Sequence, residues 1–113
     1  MKTYLLFIFL LTCKFNSFAQ QDAWIYLFDK ENVAEALSNP ITILTQKSID
    51  RKATHNVTID ERDVPVNESY IAQLKLQQGI TVMAKSKWFN AIHVRGTIAN
   101  IEALSGLPFV SHI

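Results

Sequence analysis

The residues of this 113-residue chain able to act on a bond or hold an ion are three histidines, ten acidic side chains, one cysteine and a scatter of serines. Their spacing assembles no familiar constellation. His55, His93 and His112 are far apart, with no HxxxH or HxH pair to set two imidazoles on one metal. Asp60, Glu61 and Asp63 crowd into "IDERD", but without the glycine and regular oxygen spacing of a calcium loop they read as a solvated acidic loop. No serine occupies a GxSxG elbow. Asn56-Val57-Thr58 and Asn67-Glu68-Ser69 match a glycosylation sequon, which matters only in a eukaryotic secretory route. The chain is therefore expected to carry no metal, no cofactor and no catalysis of its own.

One stretch still places polar chemistry in a regular pattern. In "KSKWFNAIHVRGT", Lys85 to Thr97, successive strand residues face opposite sides, so Ile92 and Val94 point one way and Ala91, His93 and Arg95 the other. With Ile92 and Val94 in a core, His93 and Arg95 lie on an open sheet face, joined by Lys85 and Lys87 if the hairpin register brings them round. Such a basic face is either simply solvated or a docking surface. "KWFNAIHV" also resembles the base-stacking strand of some RNA-binding domains, but it lacks the glycines and the second aromatic.

The elements that position this stretch begin with an export segment. "MKTYLLFIFLLTCKFNSFAQ" has a positive start at Lys2, an apolar run from Tyr4 to Leu11 and small residues at Ser17 and Ala19, the pattern of a signal peptide cut between Ala19 and Gln20. The run is short of the roughly 20 residues a membrane span needs, so no stable membrane anchor is expected. A lipoprotein signal on Leu10-Leu11-Thr12-Cys13 is disfavoured by Thr12 and Lys14. The remaining domain, residues 20–113, contains no cysteine and so no disulfide. Without Lys2 and Lys14 it carries 9 basic against 10 acidic side chains, a balance that gives no pull toward nucleic acid.

"AWIYLFD", Ala23 to Asp29, is apolar on both faces and rich in aromatics, as an inner strand would be. A polar stretch leads to Asn39 and Pro40, which start a helix expected to run to about Thr54. A linker closes at Pro65. Asn67 caps a second helix that Gly79 stops; two strands follow as a hairpin turning at Trp88 to Asn90. Thr97 caps a third helix with Ile98, Ile101 and Leu104 as its buried stripe, ended by Gly106, and "PFVSHI" closes as a strand. The order is the βαββαβ pattern of an α+β, ferredoxin-like sandwich, with helices on one face of an antiparallel sheet and two helices in the first crossover.

At "KWFNAIHVRGTIANIEALSGLPFVSHI" the chain resembles the end of the inhibitory prodomain of subtilisin-like serine proteases. The likeness rests on Phe89-Asn90-Ala91-Ile92, then Ile101, Leu104 and Pro108, then Val110 and Ile113. "LSNPITILTQKSIDRKATHN", "DVPVNESYIAQL" and "GITVMAKSKWFNAIHVRGT" are similar to the leaders of secreted subtilases of the Bacteroidetes group. The resemblance implies a domain that packs its open sheet face on the protease domain, helps it fold and inhibits it for a time. The partner is then a subtilisin-like protease domain, in the same precursor or separate, and the protein is exported. Lys85, Lys87, Ala91, His93, Arg95, His112 and Ile113 become the docking candidates. The family's Asp, His and Ser triad is not in this sequence, which ends at Ile113, and is expected in a catalytic domain outside it. Ala91 stands where the family has glycine, which is expected to tighten the turn and to shift its register. A free-standing subtilase inhibitor and an exported ferredoxin-like binding module unrelated to proteases are the alternatives.

Overall fold

The computed structural model describes residues 19–113, with Tyr4 alone ahead of them. The rest of the expected signal segment lies outside the described residues. The chain runs through β1 (Gln21–Leu27), α1 (Val33–Ser38), a 3-10 turn (Pro40–Thr42), α2 (Gln46–Thr54), a second 3-10 turn (Glu61–Asp63), α3 (Glu68–Lys75), β2 (Thr81–Ser86), β3 (Ala91–Gly96), α4 (Ile98–Ala103), a third 3-10 turn (Leu104–Gly106) and β4 (Val110–His112). The strands form one sheet in the order β2-β3-β1-β4, every neighbour antiparallel. This is the α+β arrangement that the alternation and the caps predict.

Local chemistry sets the two helices that close the core. Asn67 Oδ1 accepts the Ser69 N–H at 2.9 Å to start α3, and Thr97 Oγ1 accepts the Asn100 N–H at 3.3 Å to start α4. After α3 the chain turns through Gly79 at φ 67°. Gly96 lets β3 pass close by, because a Cβ there would lie 2.7 Å from the Gly79 carbonyl oxygen. Ile71 and Leu74 of α3 and Ile101 and Leu104 beyond α3 are buried against Ile25, Leu27, Ile92, Val94 and Val110 of the sheet. Tyr70 stacks on Phe109 at the margin, ring centres 4.4 Å apart, and its hydroxyl donates to Asp29 Oδ1 at 2.8 Å. Ile98, expected in the buried stripe of α4, is exposed; that stripe is only two residues wide, Ile101 and Leu104.

The first crossover departs most from expectation. The polar stretch up to Ser38, in which no element was expected, holds α1; the residue before it, Asn32, is left-handed and offers no side-chain cap, so the usual start signal is absent. The helix expected from Pro40 to Thr54 is broken: Pro40 starts only a 3-10 turn, and Thr45 begins α2 afresh by accepting the Ser48 N–H. Neither piece has much core. Ala36 is the buried residue of α1, and α2 has none. Polar ties help to hold the segment, with Lys52 Nζ 3.2 Å from the buried Asp63, whose own carboxylate closes a capping box with Asp60.

Candidate functional site

β1 and β3 are the central strands, and their register decides which side chains share the face away from α3 and α4. Asp22 pairs with Arg95, Trp24 with His93 and Tyr26 with Ala91. Because Ile25 and Ile92 lie in the core, these alternate pairs lie on the opposite, uncovered face. Ala84 and Ser86 of β2 join them through their pairings with His93 and Ala91. On the other edge a bulge between Tyr26 and Leu27 in the pairing with β4 brings His112 opposite Tyr26 rather than into the core.

The face is built around aromatic–imidazole pairs and one ion cluster. Trp24 tilts against His93 at 5.3 Å between ring centres, and Tyr26 stacks on His112 at 4.3 Å. Asp22 Oδ1 sits 2.9 Å from His93 Nε2 and accepts from Arg95 Nε at 3.0 Å. The hydrogen bond from Arg95, then that from His93, holds the Asp22 carboxyl below the usual carboxylate range. Arg95 is therefore not a free basic residue; its charge is answered on the spot. Trp24 remains 42% exposed among the described residues, a large apolar side chain partly open on this face.

Three of the seven docking candidates change place or standing. Lys85 and Lys87 are not beside His93 and Arg95. A bulge between Val82 and Ala84 inserts one residue into β2, so Lys85 comes opposite the core-facing Ile92 and pairs with Glu68 of α3. A cavity of about 290 Å³ lined by Pro65, Val66, Lys85 and Lys87 puts both lysines on the helix side. Ala91 has the expected side but is fully buried, lying between Tyr26 and Ser86 in the strand pairing. Nor does it disturb the turn: the left-handed position is Asn90, at φ 48°, and Ala91 is an ordinary strand residue. His93, Arg95 and His112 are where the alternation and the bulge bring them together, and Ile113 follows at the exposed end of β4.

Sequence reasoning missed Asp22, Trp24 and Tyr26 as members of this face. The signal was present in the apolar character of both sides of β1. An inner strand of a sheet with helices on one side only should have a polar second side unless something else covers it. The described residues hold no group of three His, Cys, Asp or Glu side chains placed for a metal, and no helix among them is long and apolar enough to cross a membrane.

A family model described as the peptidase S8 propeptide domain of Bacteroidota matches residues 22–113. No curated protein and no solved structure matches the chain.

Proposed function

The chain belongs to the peptidase S8 propeptide domain family of Bacteroidota, and from that premise we propose that it is the folding helper and temporary inhibitor of a subtilisin-like protease domain. A propeptide domain is not the catalytic part of a peptidase. Its work is to bind one. The observation that carries the reading is the uncovered side of β1, where Trp24 and Tyr26 stand between a neutralised Asp22–His93–Arg95 cluster and His112. Exposed aromatics rimmed by polar groups mark a protein contact surface. A partner that binds the native protease fold in preference to the unfolded chain stabilises that fold by mass action. On this reading a segment following Ile113, which is exposed at the end of β4, reaches the partner's cleft. Export after cleavage between Ala19 and Gln20 completes the proposal, with the protease domain supplied in the same precursor or separately.

The test is a titration of the purified chain into subtilisin-type proteases, following peptide hydrolysis over time. Inhibition that decays as the domain is digested is the expected result. A parallel refolding assay of the denatured protease should recover activity faster with the chain present. Absence of both inhibition and binding across several such proteases would defeat the proposal.

A further inference from the structure

The β2–β3 turn, Lys87 to Asn90, exposes two large aromatics at its tip. Trp88 is 58% and Phe89 70% exposed, and Phe28, which follows β1 beside the turn, is 68% exposed. A mobile, solvated turn would not need to be braced, yet this one is held from several directions. Asn90 Nδ2 donates to the carbonyls of Leu27 at 3.3 Å and Asp29 at 2.9 Å, while its own carbonyl accepts the Leu27 N–H at 3.0 Å. The orientation leaves Asn90 Oδ1 buried with no hydrogen-bond partner among the described residues, so the amide is placed for its donors at the expense of its acceptor. Lys30 Nζ reaches in from the other side to the carbonyls of Lys87 at 2.6 Å and Glu61 at 2.7 Å, and burial pushes its pKa down. Lys52 Nζ lies 5.7 Å from the centre of the Trp88 ring. Partly buried cations and a left-handed asparagine thus fix the shape of a turn whose side chains face water.

We propose that this turn is a pre-formed aromatic anchor, with Phe89 and Phe28 as its contact residues, that seats in an apolar depression of the same protease domain. The proposal rests on the function proposed above. Pre-organisation is what makes such an anchor effective, because the ordering cost is met before binding, and aromatic residues dominate binding hot spots. The occupant follows from continuity: Phe28 lies two residues beyond Tyr26, and Leu27 between them is bonded to Asn90, so the aromatic run of β1 leads off the uncovered face onto the turn. By contrast Leu76, 84% exposed at the end of α3, stands away from this run and serves as the control.

The experiment measures the affinity of the purified chain and of Phe89→Ser, Phe28→Ser and Leu76→Ser variants for subtilisin-type proteases blocked at their active sites, with thermal melts alongside. Phe89→Ser should weaken binding about 30-fold, the scale of a hot-spot truncation. Phe28→Ser should weaken it about 10-fold and Leu76→Ser less than about twofold, all with melts like the parent's. Phe89→Leu, which keeps most of the apolar bulk, should recover most of the loss and covers the case in which the serine variant unfolds. Binding by the parent with Phe89→Ser within about threefold of it overturns the anchor and leaves the proposed function standing. Absence of binding by the parent overturns both. A concentration-dependent dimer in sedimentation that Phe89→Ser abolishes would make a second copy the occupant and overturn the assignment to the protease.

Discussion

The two sides of β1 are equally rich in apolar residues and have different fates. Ile25 and Leu27 share one buried cluster with residues of α3, α4 and the stretch after it, whereas Trp24 and Tyr26, from the alternate positions, have imidazole neighbours. On the first side, burial stabilises this chain. On the second the same kind of surface is held in reserve, and its burial can stabilise only a complex.

The comparison breaks if truncations on the two sides behave alike. Leu74→Ala, at a fully buried position, should cost about 2–5 kcal/mol of folding stability in a denaturant titration followed by tryptophan fluorescence. Trp24→Ala should weaken binding to the protease by about 2 kcal/mol, some 30-fold, and shift folding stability by less than about 1 kcal/mol. Equal folding losses from the two would mean that the uncovered face is part of the core. Gly96→Ala should destabilise by about 1–3 kcal/mol, since the atom nearest the new Cβ is the backbone oxygen of Gly79, with the buried Ile80 side chain next to it. Thr97→Ala, which removes the α4 cap, should cost about 1 kcal/mol, read from the same titration. The smallest effect is on acid sensitivity. Because the folded Asp22 carboxyl titrates below its unfolded value, its pairing stabilises above the ordinary carboxylate pKa of about 3.9 and is lost as pH falls through the lower folded value. Melting temperatures measured down a pH series should therefore show a shallower acid decline in Asp22→Asn than in the parent.

Where the chain writes its structure locally, the sequence was sufficient. Asn67 and Thr97 act on groups two and three residues away, and each marks the start of its helix, whereas α3 ends at Lys75, ahead of the Gly79 expected to stop it. The alternation of β3 likewise assigned Ile92 and Val94 to the core and His93 and Arg95 to the other side. Lys85 was misplaced because one extra residue near Met83 reverses every side chain after it, and no residue type in "TVMAKS" announces a bulge. The crossover was misread for a different reason: α1 and α2 depend on ties such as Lys52 to Asp63 more than on an apolar stripe, so periodicity had little to detect. Asp22 was missed as a partner for Arg95 because the two meet only through the pairing of strands distant in sequence.

That distance has a consequence for when the domain can fold. Leu27 and Asn90, joined by two hydrogen bonds, are 63 residues apart, and β1 has no neighbour in the sheet nearer in sequence than β3. Closing so long a loop comes before any of the gain from pairing, so β1 depends on a strand far along the chain. Until β3 is available the apolar first strand has no place in a sheet. The sheet's centre is thus closed by contacts between the first strand and the final third of the described residues.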